Sequence, residues 1–482
     1  MNESALIPLT ASGADDSKPH TQKPYARWIC RTLALVTLSS SGMAATLAPA
    51  GCPTFHCTVE ATGVVYQPFI QTPLVLNSND SLGSLLAQGC SGNGTTLACL
   101  YSDDEATGIA RGTLKLLDAT TLQPIWGSAG AANSYDLDVS ATYGQVPVNF
   151  SDGSIAAGDA YHHVRYNSSG AVIGKLAVSG RQKNLGLTLL SATYGVVSQE
   201  DGILTLVNMT TWQNVGSLTL RDPQTKGPVR LVSPSSGTAN NVYAVARNPK
   251  NNNGFLFSVA LKVATHRLVV SSIFTFTGVT GASPVVVTSA VSGLPDDLVL
   301  LHVPGLVGDP RPQDRLLGLA DSPATGLAPT WAIALTGPLL VGPTVDQASG
   351  SLFYQDPTRP NVNQVSLMTG DPINVFNLQT IGKYTHTFVL NGHLAASEVG
   401  GVFTLLLAGK NTSSLTHSGQ YIMAFQPVAS PTSLLWSYEI SSVSATNSAA
   451  WNFAPSSQPG VVCPIAIVNT RSKSIISRVC DF

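Results

Sequence analysis

A short strand hairpin recurs eight times in this chain, and that repeat restricts the possible folds more than any other feature. Its clearest copy is "GTLKLLDATTLQPIWGS", residues 112–128. Apolar runs at Leu114–Leu117 and Ile125-Trp126 flank Asp118-Ala-Thr-Thr. An Asp at a turn start accepts hydrogen bonds from the backbone just after it, and Thr does so more weakly. Two antiparallel strands around a tight turn are therefore expected. Further copies span 164–178, 204–220, 258–274, 316–335, 362–378, 421–440 and 463–479. Eight hairpins at intervals of about 40–60 residues predict a repeat architecture of four-stranded blades. Segments such as 281–303 and 337–356 supply the two preceding strands. A lone blade cannot bury both of its faces, so neighbours must stack and the ring must close.

Composition agrees with strands rather than helices. The chain has 482 residues, 44% of them hydrophobic and only 11% charged, which is ample for a large core and argues against disorder. Val, Thr, Ser and Gly dominate, as pleated strands and turns require. A net charge of −2 with no Lys/Arg-rich stripe excludes a nucleic-acid partner at this level.

The N-terminus has the layout of a secretory signal. A polar lead with Arg27 and Arg31 precedes an apolar centre at Thr32–Leu38 and a run of small residues. Cleavage after Ala44 or Ala50 is expected, so residues 1–50 are read as lead plus signal peptide and 51–482 as one domain. The apolar run is short of the ~20 residues a membrane span needs. Retention as an N-terminal anchor is the alternative, as is lipidation of Cys52 in the lipobox-like "LAPAGC". Export is consistent with six cysteines beyond the signal (Cys52, Cys57, Cys90, Cys99, Cys463 and Cys480) and with six sequons in expected loops, at Asn79, Asn93, Asn149, Asn167, Asn208 and Asn411. These features point to a secreted or cell-surface glycoprotein.

Six cysteines allow 15 pairings. Cys90 and Cys99 flank a turn and are expected to join. For the last hairpin, alignment with the sixth unit sets Cys463 opposite Arg478 rather than Cys480. At least one bond from Cys52 or Cys57 to Cys463 or Cys480 is therefore expected, clasping the first and last blades. Such a clasp would lower the entropy of the unfolded chain by closing a loop of nearly its whole length.

The pattern Gly-x-Leu-x-x-Leu-Asp-Ala-x-Thr-x-x-x-x-x-Trp, echoed at Ser366-Leu-Met-Thr-Gly-Asp and Ala320–Trp331, resembles the repeat of the quinoprotein alcohol dehydrogenase-like propellers. The resemblance spans about residues 60–480 and is clearest in the first, fifth, sixth and seventh units. It implies an all-β ring of eight blades. Seven is the alternative, if the last hairpin pairs with an N-terminal strand such as Glu60–Gln67. The family holds PQQ-dependent dehydrogenases and non-catalytic members. The dehydrogenases' adjacent Cys-Cys pair, CxxCH haem site and Gly-Lys-Glu-x-Trp docking repeat are all missing here.

Other chemistry is thin. No Gly-x-Ser-x-Gly elbow occurs. Asp103-Asp104-Glu105 has oxygens of the kind Ca²⁺ favours but reads as an exposed acidic turn. Neighbouring strand residues point to opposite faces, so His162 and His163 are expected to be one surface and one buried histidine. His386, His393 and His417 have no ligand spacing. No catalytic, cofactor or metal residue is assigned, and no cofactor is expected. The expected role is non-enzymatic binding of a protein or glycan through the loops Asn248–Gly254, Pro304–Arg315 and Gly409–Gly419. The alternative is a divergent quinone-dependent dehydrogenase or a hydrolase.

Overall fold

The computed structural model describes residues 46–482, except 50–51, 53, 55–56, 59–60, 62, 66, 68, 72, 74, 80–83, 104–110, 127–135, 139–145, 159–161, 179–183, 281, 290–292, 340–341, 348, 360, 378–387, 391–393, 400–401, 412–418, 427–432, 442–449, 470–473 and 482. The signal-peptide expectation falls outside these residues.

Eight sheets, each with a four-stranded antiparallel core, form a ring: an eight-bladed propeller. Blade one is Ser84–Gly92, Thr96–Asp103, Arg111–Asp118 and Pro124–Trp126. Blade two is Val148–Asn149, Ile155–Gly158, His162–Tyr166 and Val172–Ala177. Blade three runs Asn184–Leu189, Tyr194–Gln199, Ile203–Asn208 and Gln213–Thr219. In blade four, Arg230–Leu231 and Ser236–Thr238 share the first position before Asn241–Arg247, Asn253–Lys262 and Arg267–Thr277. Blade five is Val285–Val287, Asp297–Val303, Arg315–Ser322 and Gly326–Ala334. Blade six is Thr344–Asp346, Ser351–Gln355, Asn361–Ser366 and Pro372–Asn377. Blade seven is Ala395–Val399, Val402–Asn411, Gln420–Gln426 and Ser433–Ser441. The first strands are almost wholly buried, while the fourth strands of blades two and six are largely exposed, which sets the first innermost and the fourth outermost.

The core is not central. It is divided into eight apolar layers, one in each gap between neighbouring blades. Period-two alternation supplies both walls of each gap. Along Asn253–Lys262, Phe255 and Phe257 pack towards blade three and Leu256 towards blade five.

Blade eight corrects two expectations. Its hairpin supplies the second and third strands, Val462–Asn469 and Ser474–Cys480, after Ala450–Pro455. The outer strand comes from the other end of the chain: Val75–Asn79 pairs antiparallel with Ser474–Cys480, Leu76 opposite Val479 and Ser78 opposite Ser477. An N-terminal strand does close the ring, as the seven-blade alternative supposed, yet the ring it completes has eight blades. The expected disulfide clasp is absent from this closure. Ile465 faces Arg478, so the rung two residues further on joins Cys463 to Cys480, whose Cα atoms are 4.9 Å apart. The aligned register was two residues out. Cys52 bonds Cys57, and Cys90 bonds Cys99 across one rung of blade one.

The turn of the opening hairpin explains the repeat. Asp118 Oδ1 accepts from the N–H of Thr120 and Thr121 (2.9 and 2.7 Å), and Leu122 N–H donates to the Asp118 carbonyl with φ +59°. Asn208, Thr210, Thr211 and Trp212 repeat this in blade three, with φ +55° at Trp212. In blade six the left-handed position is Gly370, φ +71°. A tryptophan from the preceding blade docks there: Trp331 Nε1 donates to the Leu367 carbonyl at 3.0 Å. Trp126 docks likewise on blade two, donating to the Ser168 carbonyl at 3.0 Å.

Candidate functional site

Strand direction alternates within each blade, so the ring has two unlike faces. First-to-second and third-to-fourth turns lie on one, the turn face. Second-to-third connections and those between blades lie on the other, the loop face. All three loops expected to bind join second and third strands: Asn248–Gly254 in blade four, Pro304–Arg315 in blade five and Gly409–Gly419 in blade seven. They share the loop face, although 412–418 lie outside the described residues.

Over blades three to six the loop face is charged in an ordered way. Its exposed charged residues, among those described, are Arg221, Lys226, Arg230, Lys250, Arg311 and Arg359, all cationic. The described carboxylates there are buried or half-buried, Glu200 lying 3.8 Å from Arg230. Asp222 is fully buried and accepts from Asn248 Nδ2 (2.5 Å), Gln224 N–H (2.7 Å) and Thr225 N–H (3.0 Å). Burial pushes its pKa up, but these hydrogen bonds outweigh burial and hold the carboxyl at about 2. Asp309 pairs with Arg315 at 3.0 Å. Asp356 Oδ1 caps the turn at Thr358 and Arg359 and accepts from the Thr336 hydroxyl.

One constellation has the outline of a hydrolytic relay. Asp314 Oδ1 lies 2.8 Å from His302 Nε2, and Thr280 Oγ1 lies 2.9 Å from His302 Nδ1. Burial lowers the His302 pKa despite the carboxylate. Thr280 is only 1% exposed, so no substrate reaches its hydroxyl. The three residues instead tie the connection from blade four to the second-to-third loop of blade five.

Of the histidine pair, His163 is buried and His162 half-buried. His163 Nδ1 accepts from Asn184 Nδ2 at 3.2 Å, and burial pushes the ring down to about 3. It is a neutral interblade residue. Asp104, Glu105, His386, His393 and His417 lie outside the described residues. Cys463, Cys480 and Asp481 cluster, but the disulfide occupies both sulfurs.

The sequons divide. Asn93 and Asn167 sit in turns of the turn face and Asn208 ends the strand leading into one, each Oδ1 accepting from the backbone N–H two residues on. Asn79 and Asn149 are not in loops as expected. Both end strands and are buried, their amides donating to the Leu122 carbonyl (2.9 Å) and to Ser91 Oγ (2.7 Å). Asn411 ends a strand of blade seven.

The ring also encloses a central channel. The N-terminal segment enters it. Leu47 bridges Phe150 of blade two, and the Cys52 carbonyl accepts from Gly92 N–H of blade one at 2.8 Å. Thr54, Thr58 and Ala61 line a cavity with Leu185–Thr188 of blade three and Pro234–Ser236 of blade four. Val64–Val65 then runs parallel to Ala396–Ser397 of blade seven. The cavity measures about 20 Å³, room for one water. A bound quinone with calcium needs oxygen ligands for the ion and a pocket of about 300–1,000 Å³. Hydroxyl and apolar groups line this cavity and no carboxylate does, so the residues do not fit that group.

No family model matches the chain, and no curated protein resembles it in sequence. Solved structures do match. The quinohemoprotein alcohol dehydrogenase of Comamonas testosteroni superposes with a TM-score of 0.57 at 10% identity, over 90% of this chain and 81% of that one. The alcohol dehydrogenase ADHIIG of Pseudomonas putida HK5 gives 0.47 at 10% identity, over 89% and 80%. BamB of Moraxella catarrhalis gives 0.45 at 10%, over 84% and 99%. At this identity the likeness is one of fold alone: the chain shares the overall fold of the Comamonas enzyme.

Proposed function

We propose that this chain is a non-enzymatic binding module of the extracellular space or cell surface. Its partner, a protein or glycan, docks on the loop face over blades three to six. The carrying observation is the sorting of charge on that face: six exposed cations, with the described carboxylates buried or half-buried. Apart from Arg230, which faces Glu200 at 3.8 Å, these cations can meet a partner's acidic groups, which favours steering and specificity. Three disulfides support an oxidising compartment. No helix among the described residues is long and apolar enough to cross a membrane. The second reading, a quinone-dependent dehydrogenase, has the fold likeness to the Comamonas enzyme in its favour.

Two measurements separate them. Capture of partners from the native extracellular medium is expected to weaken when Arg221, Lys226 and Lys250 are changed together to Glu. Changing Lys262 and Arg267 on the turn face to Glu is expected to leave capture intact. Dye reduction with alcohols or sugars, in the presence of PQQ and Ca²⁺, is expected to stay at background. Robust turnover would overturn the binding reading, and equal capture by both variants would move the docking face.

A further inference from the structure

We propose that the described residues between 46 and 70 form a resident plug: the ring closes around its own N-terminal segment, which occupies the channel in place of any ligand. The path of the chain requires it. In an eight-bladed ring, blades three and four lie opposite blades seven and eight. Thr54, Thr58 and Ala61 line one small cavity with Leu185–Thr188 and Pro234–Ser236, at the innermost strands of the first pair. From Gly63, two residues beyond Ala61, the same segment is bonded to the second pair. Ala396 N–H donates to the Gly63 carbonyl at 2.9 Å and Ser397 Oγ to the Gln67 carbonyl at 2.6 Å, both from the innermost strand of blade seven. Phe69 stacks on Phe453 of blade eight, ring centroids 5.1 Å apart, and Ile70 N–H donates to the Val462 carbonyl at 3.0 Å. A segment that borders the innermost strands on one side and is bonded to those opposite must cross the bore.

Burial agrees with that path. Ala48, Cys52, Thr54, Cys57, Ala61, Phe69 and Ile70 are each 8% exposed or less. The chain reverses inside the bore through Cys57 (φ +70°) and Ala61 (φ +59°), left-handed positions that disfavour side chains. Such positions persist where the surroundings over-determine them. Here two things do so. The Cys52–Cys57 bond closes a loop at the first, and each left-handed residue donates its N–H to a carbonyl three residues back, that of Thr54 and of Thr58 (3.1 Å each). The segment leaves over the Trp436 indole, whose Nε1 donates to the Ile70 carbonyl at 3.1 Å, and then becomes the closing strand Val75–Asn79. Plug and closure are therefore one continuous device.

Hydrogen exchange read by mass spectrometry on the disulfide-intact chain tests this. Peptides covering 46–70 are expected to exchange as slowly as the innermost strands, at least 100-fold slower than an unstructured chain. In the double variant Cys52→Ser/Cys57→Ser, peptides covering 46–62 are expected to exchange at least tenfold faster, while Phe255–Phe257 of blade four keeps its protection. That retained protection distinguishes a loosened plug from an unfolded ring. Adding PQQ with Ca²⁺ is expected to change neither pattern. Rapid exchange of 46–70 in the native protein would overturn the proposal. So would its deprotection on addition of PQQ, which would make the segment a displaceable lid.

Discussion

Replacing Gly370 by Ala isolates what the tryptophan docks contribute to the ring. Two costs fall on this position. The backbone sits at φ +71°, where an L side chain costs about 1–2 kcal/mol. A Cβ there would also lie 2.9 Å from Trp331 Cδ2 and Cε3, too close for a buried indole to remain in place. Overpacking of this kind costs about 1–3 kcal/mol. Gly350, in the first turn of the same blade, provides the control: φ is +64° and nothing lies within 4 Å of its would-be Cβ. Gly350→Ala carries the backbone cost alone, and both variants gain the same stiffening of the unfolded chain. Gly370→Ala should therefore be about 1–3 kcal/mol the more destabilising in urea unfolding followed by circular dichroism. A Trp331→Ala background should erase that difference, because the indole that crowds the methyl is gone. Equal losses for the two glycines in the wild-type background would refute the idea that the dock is a tight contact.

Other expectations follow from buried groups. Asp222, held at about 2 against a usual 3.8, contributes about 2 kcal/mol. That stability is complete above pH 3.8 and lost as pH falls towards 2; Asp222→Asn should flatten guanidinium unfolding across this window. His163, neutral in the fold down to about pH 3, favours unfolding once the unfolded chain protonates below pH 6.5. It should cost about 2 kcal/mol at pH 5, and His163→Phe should remove that slope. Expressed through a glycosylating secretory pathway, the chain should carry N-glycans at Asn93, Asn167 and Asn208 but not at Asn79 or Asn149, whose amides are buried. Peptide mapping after enzymatic deglycosylation in heavy-oxygen water reads this directly, and a glycan on Asn149 would contradict the interblade packing there.

The parts that were legible from sequence are local. Asp118-Ala-Thr-Thr announces its turn because the carboxylate caps the backbone two and three residues on, and Trp126 and Trp331 mark outer strands because an indole fills an interblade gap. The illegible parts join distant residues. Nothing near Val75–Asn79 signals that its partner strand lies at the other end of the chain. The Cys463–Cys480 rung is not legible from the sixth unit's turn, because blade eight pairs its strands two residues further along, and such a slip gives each side chain a different opposite number. The plug has no periodicity to read, being irregular chain bonded to other strands' edges. Asn79 and Asn149 looked like loop residues since Asn favours turns, yet both end strands whose amides face inward. The cationic loop face was invisible because its residues are scattered along the sequence and gathered only by the ring.

Closure by the N-terminal strand is the claim on which plug, blade count and ring all depend. Ser78 and Ser477 oppose each other across it, hydroxyl oxygens 2.8 Å apart and 399 residues apart in sequence. In the double variant Ser78→Cys/Ser477→Cys, mild oxidation should join these positions within one molecule, detected as a single crosslinked tryptic pair. Closing so long a loop should remove up to about 6 kcal/mol of unfolded-chain entropy, raising the unfolding temperature only while oxidised. Failure to form the bond, or formation only between molecules, would mean that Val75–Asn79 is not the strand that closes this ring.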